Sequence, residues 1–342
     1  MPETNTFKPE EPALRAVMEM QFSMAASRVL ASAVQLGIFS QIAAGHTTAA
    51  EIAKAAEASE RGMQMLLDAL TGFRLLNKDG GRYALTAVTA QFLVRESPQY
   101  AGAMLEGGGA HEMWNAWGHL TEAIRSGKPE RETHVKEAAE EFFPNLVRSL
   151  HVMHSEPAKR LAAALAAGTT HKALRVVDVA CGSGVWGMGI AAADRQARVT
   201  AQDFPKVLDL TREYLKRGGM EAQYDFLPGD LNEVDYGENR FDVALLGNIC
   251  HGMGEQVSRA LFARLSRALS PGGRIVILDM IPNDDRTGPV FPLIFALNML
   301  LLTENGGTYT VSQYRNWLGN AGFQRVETAD IGSHSPAIIG VK

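Results

Sequence analysis

Apolar residues recur at helical spacing from about residue 12 to 42, with Met18, Met20, Phe22, Met24, Val29, Leu30, Val34, Leu36 and Ile38 among them. Thr47 or Thr48 can then cap a short helix whose first turn holds Glu51 and which ends near Ala58. Ser59 can cap the next, running through Met63, Leu66, Leu67, Leu70 and Phe73 to Leu76. Asp79-Gly80-Gly81 reads as a turn and residues 82–86 as a strand. Helix, turn, helix and β-wing is the order of a winged helix-turn-helix.

Residues 98–168 read as all-helical, with Trp114, Trp117, Leu120 and Ile124 on one face of a helix. After residue 174 the pattern changes. Short apolar runs at 175–179, 199–201, 224–227, 241–246 and 274–278 alternate with helical stretches at 185–193, 205–217 and 255–269. Such alternation means βαβ units and a mostly parallel, Rossmann-like α/β sheet. The end departs from it: a helix at 311–318, a turn at Gly322-Phe323, and runs at 325–331 and 337–341 that form a closing antiparallel pair. The expected division is a helical winged domain at 1–100, connecting helices at 101–170 and the sheet domain at 171–342.

Composition narrows the classes. The 342 residues are 46% hydrophobic and 21% charged, an ordinary globular balance, and two domains suit that length. A net charge of −5 gives no basic face for nucleic acid. Two cysteines, Cys181 and Cys250, make no disulfide framework, so a reducing cytoplasm is expected. The polar, acidic residues 1–11 are no signal peptide. The longest apolar run, about residues 290–302, is too short and too broken by Pro292 and Asn298 to span a bilayer. A soluble protein with no nucleic-acid or membrane partner is expected.

Gly182-Ser183-Gly184-Val185-Trp186-Gly187 fits GxGxxG, a weak signal alone. Here it follows an apolar strand and opens a helix, where glycines admit a ligand close to the backbone and a helix dipole adds positive charge. Asp178, at the strand end before Gly182, needs a cationic partner because an unpaired buried charge is costly. The methionine ammonium of S-adenosylmethionine supplies one; the competing account has Asp178 only capping the loop. Asp203, ending the next strand beside Phe204, lies where a carboxylate accepts ribose hydroxyls. Gly229-Asp230-Leu231 follows the third strand, placed to meet the adenine amino group and ring. Asn248 is counted with this cofactor set. The product of transfer would be S-adenosylhomocysteine.

Residues 177–272 resemble the class I methyltransferases. The whole chain from about residue 15 resembles the plant-type O-methyltransferases and their bacterial small-molecule relatives, acetylserotonin-like enzymes included. The further marks are Thr86-Ala87-Val88-Thr89, residues 117–127, Gly272-Gly273-Arg274, Tyr309-Thr310 and Ala321-Gly322-Phe323. The family often has two glycines where this chain has Ala180 and Cys181, so the loop is bulkier. The resemblance implies dimerisation through the first helices. That outweighs DNA binding, because residues 60–76 offer only Arg61 and Arg74 to a groove.

His251, ending the fourth strand, matches the family's catalytic histidine, and an imidazole suits a base at neutral pH. Asp279 matches an acidic residue that orients it. The alternative is a histidine that only caps its strand. Two customary acids are missing, for Gly252 and Thr308 stand in their places. Hydroxyl methylation of a small molecule is the leading reading. Its rivals are sulfur, nitrogen or carbon acceptors, a cofactor-binding protein without transfer, and a winged-helix regulator. No metal-ligand set follows the fourth strand, so no metal is expected. Trp114, Trp117, Phe143, Met153, Phe295, Asn298, Met299 and Leu302 are candidates for an apolar acceptor pocket, or for core between the domains. Glu137, Glu140 and Glu141 read as a solvated helix face.

Overall fold

The computed structural model describes residues 11–129 and 135–342, without the side chains of 11–13, 15, 107–109 and 135–144. The extreme N-terminus, the three glutamates at 137–141 and the Phe143 side chain therefore lie outside the described residues. The chain divides into two compact units, Met1–Gly107 and Gly108–Lys342.

In the first unit, the run expected at 12–42 is two helices, α1 (Glu11–Gln35) and α2 (Ile38–Ala43), because Gly37 turns the chain at φ 66°. Helix α3 (Ala49–Ala55) opens with a reciprocal cap: Thr48 accepts from the Glu51 N–H, and Glu51 accepts from the Thr48 N–H. Helix α4 (Glu60–Gly72) stops short of the expected Leu76. Arg74 takes a positive φ of 60°, and Leu76 opens β1 (Leu76–Asp79) instead. Gly80 and Gly81, both at positive φ, turn β1 into antiparallel β2 (Arg82–Leu85), as a two-residue hairpin requires. Thr86 leaves the strand to cap α5 (Ala87–Phe92). Ile38, Phe39, Ile52, Met63, Leu67, Leu70 and Tyr83 form the core. Along α1, by contrast, Val17, Met20, Phe22 and Met24 are 57–77% exposed.

In the second unit, the single helical face expected for Trp114 to Ile124 belongs to two helices. The break at His119 separates α6 (Gly107–Gly118) from α7 (Leu120–Ser126), and Ile124 is exposed. The long α8 (Val135–Ala164) leads into the sheet. There β3 (Arg175–Val179), α9 (Val185–Ala193), β4 (Arg198–Asp203), α10 (Pro205–Gly218), β5 (Tyr224–Pro228), β6 (Phe241–Gly247), α11 (Cys250–Ala268) and β7 (Leu269–Leu278) alternate. The apolar run after them is helix α12 (Val290–Leu302). Pro292 falls in its first turn, where a missing N–H costs no intrahelical bond. Helix α13 (Val311–Asn320), β8 (Arg325–Ala329) and β9 (Ala337–Val341) complete the chain.

The strand order is β5-β4-β3-β6-β7-β9-β8, parallel except where β9 runs antiparallel to both neighbours. Successive side chains of a strand face opposite sides. Val176, Val199, Val243 and Val276 accordingly pack with α8, α9 and α10, while Val177, Ala244 and Ile275 pack with α11 and α13. Strand β3 has β4 on one side and β6 on the other, so chain connections diverge there and leave a crevice at the strands' C-terminal ends. Among the described residues, no helix is long and apolar enough to cross a membrane.

Candidate active site

The glycine loop sits in that crevice. Ala180, Gly182 and Gly184 take φ of 50°, 57° and 75°. This region suits glycine, and for an alanine it costs roughly 1–2 kcal/mol. Strand β4 holds Ala180 there: Gln202 Oε1 accepts from the Ala180 N–H (3.1 Å) and the Gln202 carbonyl from the Cys181 N–H (3.0 Å). Gly187 has the opposite duty, close packing. A Cβ there would lie 2.8 Å from Tyr224 Oη, 2.9 Å from Val199 Cγ1 and 3.0 Å from Asp178 Oδ2. Its absence lets the Gly187 N–H donate to Asp178 Oδ2 (3.0 Å).

Asp178 is fully buried, and its Oδ1 has no hydrogen-bond partner. Burial pushes its carboxyl up to about 7. Asp203 is raised as well, again by burial, although the Gly182 and Phe204 N–H groups donate to it (2.9 and 2.8 Å). Among the described residues, no cationic side chain offsets either carboxylate. Two buried acids and an orphaned oxygen beneath a glycine loop fit a cationic, ribose-bearing cofactor. Phe204 is exposed at the start of α10. Asp230 is half-buried, with Oδ1 accepting from the Asn232 N–H, and Leu231 packs on the core below.

Helix α8 crosses this region and adds two histidines that sequence reasoning missed. His151 Nδ1 lies 2.9 Å from Ser183 Oγ in the loop, its ring stacked on Tyr214 with centroids 3.9 Å apart. His154 Nε2 lies 2.8 Å from Asn248 Nδ2, so the Asn248 side chain is engaged with α8. Burial, chiefly, lowers both imidazoles to about 4, which keeps them neutral. Their spacing puts both on one helix face, the only signal that could have found them.

His251 does not end the fourth strand as expected: β6 stops at Gly247 and His251 falls in the first turn of α11, where its Nδ1 lies 2.6 Å from Asp279 Oδ1 and its backbone N–H donates to Asp279 Oδ2 (3.0 Å). The Tyr314 hydroxyl, fully inside the core, also donates to Oδ2 (3.3 Å). Phe295 meets the His251 ring edge-on at 4.9 Å. Met153, His154, Trp186, Asn248, Asp279 and Phe291 line a cavity of about 40 Å³ beside it. The other pocket candidates are not gathered there. Trp114 and Trp117 are half-buried on α6, Asn298 is half-buried on α12 and Met299 is buried. No group of three His, Cys, Asp or Glu able to hold a metal ion occurs among the described residues.

A doubly wound sheet with acids at successive strand ends and a His–Asp pair beside the crevice defines a cofactor-dependent transferase. Comparison with known proteins names the class. Residues 117–324 match the O-methyltransferase domain, and residues 18–95 match the O-methyltransferase dimerisation domain. The 3-hydroxy-5-methyl-1-naphthoate 3-O-methyltransferase of Streptomyces sahachiroi is 29% identical over 92% of this chain and 92% of its own. The tetracenomycin polyketide synthesis 8-O-methyl transferase of Streptomyces glaucescens is 28% identical over 95% and 96%. Human N-acetylserotonin methyltransferase, solved in complex with SAM, shares the fold with a TM-score of 0.85 at 24% identity, over 98% of this chain and 99% of that one. The chain belongs to the family of S-adenosylmethionine-dependent O-methyltransferases.

Proposed function

We propose that this enzyme methylates a hydroxyl of a small molecule, with His251 as the general base. The observation that carries the reading is the 2.6 Å contact between His251 Nδ1 and Asp279 Oδ1. A carboxylate only accepts, so Nδ1 carries the proton and Nε2 keeps its lone pair for the acceptor's proton. As that proton arrives, the Asp279 charge stabilises the imidazolium. Two bonds from residue 251 to one carboxylate limit the ring's rotation.

When bound, S-adenosylmethionine supplies a methyl group already activated on a cationic sulfur. Asp178, Gly182, Gly184, Asp203, Phe204, Asp230 and Leu231 would hold it, with Asp178 toward the methionine end and Asp203 toward the ribose. The chain's own contribution is alignment and proton removal, the latter giving roughly 10²–10⁴ in rate. Phe295, Phe291 and Met153 would exclude water around the acceptor. The dimerisation domain and the apolar face of α1 support a homodimer, and a cytoplasmic location suits two unpaired cysteines. Neither nucleic acid nor membrane is an expected partner.

The test replaces His251 by alanine and follows S-adenosylhomocysteine formation with phenolic acceptors. Lost turnover with intact cofactor binding is the expected result. Full turnover in the variant would remove His251 from the mechanism.

A further inference from the structure

A second cavity, of about 610 Å³, takes no part in the mechanism above. That volume lies within the roughly 300–1,000 Å³ of small-molecule sites. One wall is the start of α11, residues 253–257; the others are Arg286, Ala296 and the loop 305–309.

Gly254 interrupts α11 with φ 81° and ψ 169°, so the regular helix restarts after it and runs to Ala268. The first N–H groups of any helix lack intrahelical acceptors, and a side chain at the N-cap normally takes one. Glycine has none to offer. A Cβ at this position would lie 2.7 Å from the Asn305 carbonyl oxygen, so no capping side chain fits. The wall of the cavity is thus an uncapped helix start, which carries positive partial charge.

A second, independent feature is Thr308. It is 3% exposed and lines the cavity, and its Oγ1 has no hydrogen-bond partner. Arg286 adds a full charge. Its Nη2 is used by the Thr308 carbonyl (3.1 Å) and Gln313 Oε1 (3.0 Å), which fixes the guanidinium at the rim. The wall's one carboxylate, Glu255, is paired with Arg259 at 3.2 Å. An uncapped helix start, a guanidinium and an unpaired hydroxyl favour an anion. One planar guanidinium beside one hydroxyl suits the two oxygens of a carboxylate.

The cavity adjoins the base. The Gly307 N–H donates to the His251 carbonyl (2.8 Å), and Ala296 follows Phe295, whose ring meets His251.

We propose that this cavity is a carboxylate-binding subsite, filled by a carboxylate carried on the methyl acceptor or by a free one. Only the first source rests on the acceptor reading above. The test uses the full chain and two measurements. Calorimetry with benzoate needs no turnover, so it stands apart from the methyl-transfer reading. Kinetics then compare 3-hydroxy-2-naphthoate with 2-naphthol. Benzoate should bind the native protein, and Arg286→Gln or the nearly isosteric Thr308→Val should weaken it, about tenfold to a hundredfold for the charged group. If the acceptor carries the anion, Arg286→Gln also raises KM for the hydroxynaphthoate by a like factor and leaves 2-naphthol unchanged. If a free carboxylate is the ligand, benzoate binding falls while both KM values hold. Thr308→Val keeps the test decisive should Arg286→Gln not fold. No benzoate binding, or binding indifferent to both substitutions, would overturn the proposal.

Discussion

Asp279→Asn probes the base most directly. The carboxylate takes four donors: the His251 ring at 2.6 Å and the Met280 backbone N–H at 2.9 Å on Oδ1, and the His251 backbone N–H at 3.0 Å and the Tyr314 hydroxyl at 3.3 Å on Oδ2. Its side chain is 2% exposed, so water cannot substitute for a lost partner. An amide of the same shape has one accepting oxygen and one donating NH₂. If the oxygen keeps the His251 backbone N–H, the NH₂ opposes the Met280 N–H and faces Nδ1, driving the ring proton to Nε2, the atom that must accept. If the amide lies the other way, its NH₂ faces the His251 backbone N–H, a buried donor–donor mismatch costing about 1–3 kcal/mol, while the Tyr314 hydroxyl can turn to accept. Losing a positioned base lowers the rate about 10²–10⁴-fold, or about 3–5 kcal/mol in barrier. Single-turnover methyl transfer to phenols of graded acidity, with S-adenosylhomocysteine affinity measured alongside, is the assay. The loss should be greatest for the least acidic phenol and shrink for those that arrive ionised, with cofactor affinity unchanged. A uniform loss across the series, or an equal loss of cofactor affinity, would refute the argument.

Asp178 links stability to pH. Its folded value of about 7 lies above the unfolded carboxylate, so the unfolded chain releases its proton first and stability falls as pH rises from about 4 to about 7. Asp178→Asn should remove that limb, raising the melting temperature above neutral pH while weakening S-adenosylmethionine binding. Thermal unfolding across pH reads it, and parallel curves for variant and native protein would count against it. Gly187→Ala should lose about 1–3 kcal/mol in denaturant titration, since the new Cβ would lie within 3.0 Å of side-chain atoms of the buried Tyr224, Val199 and Asp178; an unchanged midpoint would contradict the packing account. Phe22→Asp, on the exposed face of α1, should yield monomers in light scattering, whereas a persistent dimer would place the interface elsewhere.

Much of this protein was legible along the chain because local rules are local. The βαβ alternation came through since strand and helix differ in hydrophobic period, and β9 and α9 were placed to the residue. The candidate cofactor acids were legible for a related reason. Parallel strands end on one edge, so Asp178, Asp203 and Asp230 had to share a crevice once their strands were recognised. Boundaries were harder. Gly37, Arg74 and His119 break helices through backbone conformation, which apolar spacing does not record.

What only the tertiary structure decided are pairings across long stretches of chain. Tyr314 reaches Asp279, His154 reaches Asn248 and His151 reaches Ser183 because α8 and α13 pack against the sheet. No periodicity predicts which strand end a helix will cross. Burial, which raises Asp178 and lowers both α8 histidines, likewise arises only when those layers close. Sequence by itself determined the sheet and the cofactor and pointed to the His251–Asp279 pair; folding determined that Tyr314 joins that pair and where the crevice carries its unbalanced charge.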